Sequence, residues 1–184
     1  MIAIAERVFF ASLVVVAAVS ASTIGASHGL PGLRYNPTPS VPMGLYLYVP
    51  GPTARGETVQ ACLPTPLATY ARSHRILLAG SCANGSEPIA KVLAAEPGDV
   101  VDVEQAAIRI NGRPWPLSAI RSFDETGRRV DLRMPLGTQI VAPNRVLLLG
   151  LHPRSWDGRY FGTLPSSVVT GRWIPLITDT RTTP

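Results

Sequence analysis

Two side chains in this chain are of types that can share a proton during formation of a covalent intermediate: Ser40 and Lys91. A serine hydroxyl is a weak nucleophile until a base takes its proton, and a neutral lysine amine is a base that needs no histidine and no metal. Ser40 lies in Asn36-Pro37-Thr38-Pro39-Ser40-Val41-Pro42-Met43-Gly44-Leu45-Tyr46. The three prolines fix their own φ and push the residue before each toward extended backbone. Ser40 is therefore expected on a stiff, non-helical segment, which suits a group that must be held in attack geometry. On an extended chain the Thr38 hydroxyl would share a side with Ser40. It and the Ser40 N–H are the candidate donors to an oxyanion. By composition alone the same stretch also reads as a proline-rich linker.

Lys91 lies in Pro88-Ile89-Ala90-Lys91-Val92-Leu93-Ala94. On a strand, Ile89, Lys91 and Leu93 share one face. A lysine between two aliphatic side chains sits either at a sheet edge or in at least partial burial. Burial disfavours the charged amine and lowers its pKa, so that a neutral base exists near neutral pH. The chain has no other lysine. Its remaining strongly basic residues are arginines, which stay protonated and cannot act as this base.

The elements that must position these groups are read from turn and strand signals. Leu45 to Val49 is β-rich. Leu67 to Leu78 has helical spacing and predicts a short helix. Glu96-Pro97-Gly98-Asp99 is a turn by its chemistry, with Asp99 a turn-former, and leads into a strand over Val100 to Val103. Ile108 to Arg113 alternates and contains Asn111-Gly112, a hairpin signal. The stretch 115–134 reads as a polar, less regular insertion. Val146 to Leu151 is a continuous aliphatic run and predicts a buried strand. Val168 to Ile177 predicts a last strand, followed by a frayed tail.

Four of these stretches together resemble the TraF-type conjugative-transfer peptidases, relatives of the type I signal peptidases. Asn36-x-Thr38-x-Ser40-x-Pro42-x-Gly44-Leu45-Tyr46 resembles their serine motif. Ile89 to Val101 resembles their lysine motif. Ile108 to Pro114 resembles the strand-turn that follows it. Ser155-Trp156-Asp157-Gly158-Arg159-Tyr160-Phe161-Gly162-Thr163-Leu164-Pro165 resembles the closing box. The chain departs from the signal peptidases at Gly158, where they commonly carry serine, and at His152-Pro153, where bacterial ones usually show a glycine-aspartate-asparagine run. Both departures fit the TraF-like branch.

The resemblance implies a mostly β fold of signal-peptidase-like coiled antiparallel sheets on one N-terminal transmembrane helix. It implies a serine endopeptidase or acyl transferase with Ser40 as nucleophile and Lys91 as base, and no cofactor or metal. It places Asp157 near the site. There Asp157 either orients a basic group or pairs with Arg159 as scaffold, and the sequence leaves both open. The implied partner is a membrane-tethered, pilin-like precursor, because members of the branch mature conjugative pilins and some close them head to tail. Two rival readings are a general signal peptidase that removes leader peptides and a non-catalytic scaffold of a secretion or mating channel.

Cys62 and Cys82 are the two cysteines. A disulfide between them would place the domain in an oxidising compartment such as the periplasm. Two unrelated thiols are the other reading. TraF-like proteins carry a similar pair bracketing a loop just before the lysine strand. Val8 to Ser27 is uncharged, and a helix of that length spans about one hydrocarbon core. It reads as a retained anchor over 1–28 or an uncleaved signal, with 29–184 the periplasmic domain of a bacterial inner-membrane protein. The net charge of +5 comes from scattered arginines without a basic run or recognition motif. That pattern argues for a bilayer surface with anionic headgroups and against nucleic acid. The histidines His28, His74 and His152 have no motif that supports a serine-histidine-aspartate triad.

Overall fold

The computed structural model describes residues 32–122 and 134–179. The expected anchor over 1–28 lies outside them, as do 123–133 of the insertion and the last five residues of the tail. Among the described residues no helix is long and apolar enough to cross a membrane.

The described chain is mostly β. Its strands are β1 (Leu33–Asn36), β2 (Gly44–Pro50), β3 (Thr58–Ala61), β4 (Ile89–Ala95), β5 (Val100–Val103), β6 (Ile108–Ile110), β7 (Arg113–Pro114), β8 (Gly137–Ile140), β9 (Arg145–Leu149), β10 (Leu164–Pro165) and β11 (Val169–Thr178). Helix α1 (Thr65–Ser73) lies between β3 and β4, and the four-residue α2 (Gly158–Phe161) follows β9. A seven-stranded sheet has the order β1-β2-β11-β3-β4-β9-β10, and a four-stranded sheet the order β7-β6-β5-β8. Every pairing is antiparallel.

The expected strands form where their patterns place them, with small shifts that have physical causes. The last aliphatic run pairs only as far as Leu149, and Gly150 and Leu151 leave the ladder to contact the Ser40 loop. The final strand opens one residue late because Ser166–Val168 forms a 3₁₀ turn. Helix α1 begins two residues before its expected start and stops at Ser73. Arg75 takes φ 57°, and the chain then turns back so that Ile76 N–H reaches Ala71 O. The Asn111-Gly112 hairpin has positive φ at both residues, the geometry those residues favour.

The described parts of the insertion, 115–122 and 134, hold no helix or strand. Their apolar side chains are nevertheless packed. Ile120 and Met134 are buried with Val101, Ile108 and Leu147, and Trp115 packs against the same cluster. The apolar side chains at both ends of the stretch find this core, which the polar average of the whole segment conceals.

Apolar side chains collect on both faces of β4 and β9. Val59, Ala61, Ile89, Leu93 and Leu148 pack with Ala68 and Ala71 of α1 and with Phe161 of α2. Leu147, Leu149 and Ala95 turn the other way, toward the four-stranded sheet. Strand β4 is thus central, paired with β3 on one side and β9 on the other. Lys91 sits in the middle of it.

Candidate active site

The Ser40 segment joins β1 to β2. Asn36 closes β1 opposite Gly44, the first residue of β2. Glycine at 44 is required by a close approach, because a Cβ there would lie 2.1 Å from Ile177 O of β11. Between these residues the chain turns over 38–41. The expected extended backbone is corrected here. Asn36 is buried, and its amide nitrogen donates to three carbonyls of the loop: Thr38 at 2.8 Å, Val41 at 3.0 Å and Pro42 at 3.0 Å. That curls the loop inward. Thr38 is exposed, and its hydroxyl donates to Asn36 Oδ1 at 3.0 Å rather than lying beside Ser40 on a straight chain.

Ser40 itself is buried. Its carbonyl accepts the Leu151 N–H at 2.7 Å, which ties the loop to the exit of β9. The Ser155 hydroxyl donates to Ser40 Oγ at 3.2 Å. No hydrogen bond from the Ser40 N–H is found among the described residues.

The β4–β9 register pairs Val92 with Leu149 and Leu93 with Leu148. On its other side β4 sets Lys91 opposite Val59 of β3. Directly opposed residues of an antiparallel pair project from the same face. A Cβ at Gly150 would point into Ser155, 2.2 Å from its Oγ, and lie 3.1 Å from Ser40 O. Lys91 lies close enough to Asp157 and Arg159 for both charges to act on its amine, and Asp157 also accepts the N–H of Gly150, beside Ser155 and the Ser40 carbonyl. Glycine at 150 is what makes room for them.

Lys91 is buried, and among the described residues its amine makes no hydrogen bond or ion pair. Burial pushes its pKa down from 10.5 to about 8. Asp157 works against that fall, and Arg159 reinforces it. The net result is an amine that is substantially neutral slightly above neutral pH.

Asp157 and Arg159 form a buried ion pair, with Arg159 Nε 2.9 Å from Asp157 Oδ1 and Nη2 2.8 Å from Oδ2. Asp157 also caps α2 and accepts the Gly150 N–H at 2.7 Å. Arg159 donates to the carbonyls of Leu117, His152 and Ser155. The pair thereby pins the loop that carries Ser155. Asp157 makes the contact with Arg159 that the scaffold reading expects, and its carboxylate also acts on the Lys91 amine through space.

Sequence reasoning missed Ser155, Gly150, Trp115 and the loop-internal role of Asn36. Ser155 opens the closing box and Asn36 opens the serine motif, so both were in quoted motifs. Nothing in their spacing tells where the side chains point. Trp115 Nε1 donates to Gly150 O at 3.0 Å, a contact that depends on the packed ends of the insertion. Cys62 and Cys82 are joined in a disulfide, which decides between the two readings of the pair.

Residues 2–177 match the family described as signal peptidase, peptidase S26. The chain belongs to that family, in its TraF-type branch. It is 35% identical to the Conjugal transfer protein TraF of Agrobacterium tumefaciens (strain 15955), over 87% of this chain and 89% of that one. It is 33% identical to a Plasmid transfer protein TraF of Escherichia coli, over 90% of this chain and 93% of that one. Among solved structures it is similar to a signal peptidase I of Enterococcus faecalis V583, with 20% identity and a TM-score of 0.40 over 67% of this chain and 98% of that one. Family membership makes the chain a serine peptidase by class.

Proposed function

We propose that this chain is a membrane-anchored serine peptidase of a conjugation system, working through a Ser40–Lys91 dyad on an exported, pilin-like precursor. The observation that carries the reading is the burial of the chain's one lysine, with its pKa near 8, beside Asp157, whose carboxylate also holds the N–H of Gly150 next to Ser155 and the Ser40 carbonyl. The names of the TraF relatives support the conjugal setting. The Cys62–Cys82 disulfide supports an oxidising compartment, the periplasm. The uncharged segment Val8 to Ser27 supports an anchor in the inner membrane. It ends about a dozen residues before Ser40, so the bond to be cleaved lies close to the bilayer.

In the proposed reaction neutral Lys91 takes the Ser40 proton as Oγ attacks the carbonyl carbon of the scissile peptide. Ser155 accompanies Ser40 Oγ through its hydrogen bond. The oxyanion takes the Ser40 N–H. The Thr38 hydroxyl joins only if it exchanges Asn36 for the oxyanion. Lys91 then returns the proton to the departing amine as the C–N bond breaks and leaves an ester on Ser40. Water, or the amino terminus of the substrate itself, attacks the ester and gives its proton to Lys91, which restores the serine. The first nucleophile gives a hydrolysed product and the second a cyclic one.

The test uses the full chain in membranes with the precursor of its own transfer system. Ser40→Ala and Lys91→Ala should each leave the precursor unprocessed while still unfolding in one cooperative transition. Continued processing by either variant overturns the dyad. Intact-mass measurement of the wild-type product separates the two endings, since a cyclic product lacks one water.

A further inference from the structure

The loop that carries Ser40 is poor in donors. Pro37, Pro39 and Pro42 have no N–H, so the segment has few backbone donors with which to bond its own carbonyls. The Asn36 side chain supplies what is missing. Its nitrogen reaches the carbonyls of Thr38, Val41 and Pro42, and its oxygen accepts the Thr38 N–H at 3.2 Å and the Thr38 hydroxyl at 3.0 Å. Asn36 is 3% exposed and is also the last paired residue of β1. A single amide thus binds the residues on both sides of Ser40. It makes no bond to Ser40 itself, whose carbonyl is held by Leu151 and whose Oγ meets Ser155.

Resting on the Ser40 reading above, we propose that Asn36 is the positioning residue for the nucleophile: its amide closes the donor-poor loop and sets Ser40 Oγ toward Ser155. An aspartate of the same shape cannot do this. It loses the donors and turns a negative charge toward three carbonyl oxygens. A displacement of the nucleophile by about 1 Å is enough to lower turnover about 100-fold while substrate still binds. The loss should therefore fall on kcat and spare KM.

The experiment compares the purified full chain with Asn36→Asp, Asn36→Gln and Thr38→Val on a fixed precursor peptide. Asn36→Asp should lower kcat about 100-fold with KM nearly unchanged. Asn36→Gln keeps the amide but carries it one methylene further, and should lower kcat by less. Thr38→Val removes one hydroxyl contact and should cost under about tenfold. Thermal melting reports whether each variant folds. Wild-type kcat in folded Asn36→Asp or Asn36→Gln, or a loss confined to KM, overturns the proposal. If neither Asn36 variant folds, the residue serves the fold and the proposal is likewise overturned. Ser40→Ala is the control: processing by that variant means the Ser40 reading has failed, whereas its inactivity beside a fully active Asn36→Asp sinks this proposal alone.

Discussion

At the scale of single residues, the decisive quantity is the protonation of Lys91. Desolvation brings its pKa to about 8, with Asp157 opposing the fall and Arg159 adding to it. In the proposed dyad the base is the neutral amine, so kcat/KM in the free enzyme should rise with pH and level off above about 8. Removing the Asp157 charge removes the interaction that favours the ammonium, so in a folded Asp157→Asn chain the rise should move to lower pH. A rate that is flat from pH 6 to 9 would contradict a lysine base. The burial of Lys91 was legible in the sequence as one of two readings of a lysine between aliphatics, the sheet edge being the other, and the pairing of Ser40 with Lys91 came from the family resemblance. Ser155, Gly150 and the Asn36 clamp were not legible. Each acts through a partner on another strand or across a curled loop, and spacing does not encode where such a side chain points.

At the scale of elements, the candidate site draws on the β1–β2 loop with Ser40, on β4 with Lys91 and on the exit of β9 with Gly150 and Ser155. Most strands were legible because aliphatic runs and turn residues are local signals. The sheet order was not, since β11 inserts between β2 and β3 and joins residues more than a hundred positions apart. The arm from Cys62 to Cys82 closes a connection of sequence separation 20 between β3 and β4. It packs Ala68, Ala71 and Leu77 onto the core under Ile89 and Leu93. Replacing both cysteines by alanine should lower unfolding stability by about 3 kcal/mol, seen as a shifted urea midpoint. Activity per folded molecule should persist, because the ladder from Thr58–Val92 to Ala61–Ile89 holds β4 without the bridge. Loss of activity in a fully folded variant would mean that the disulfide sets the lysine strand itself.

At the scale of the whole molecule, the site is maintained at the expense of stability. A lysine whose pKa is 10.5 when unfolded and about 8 when folded opposes folding wherever the unfolded chain holds the proton and the folded chain gives it up or carries it at a cost. The unfolded state binds more protons between those two values, so stability rises with pH from about 8 to 10.5. Below about 8 the whole penalty is present, at most about 3 kcal/mol by the linkage relation. Lys91→Met keeps the side-chain length and removes the charge, as when buried ionic groups are exchanged for apolar ones of similar size. The variant should be inactive yet more stable than the wild type at pH 7. For a domain of this size the gain corresponds to a melting midpoint higher by roughly 5–10 °C. The advantage should shrink as pH is raised through 8 and vanish near 10.5. Urea unfolding of both proteins at pH 7 and pH 10 reads this directly. Equal stability at pH 7, or a gap that does not close with pH, would show that the Lys91 amine is solvated in the folded chain and is not the depressed base on which the reaction depends.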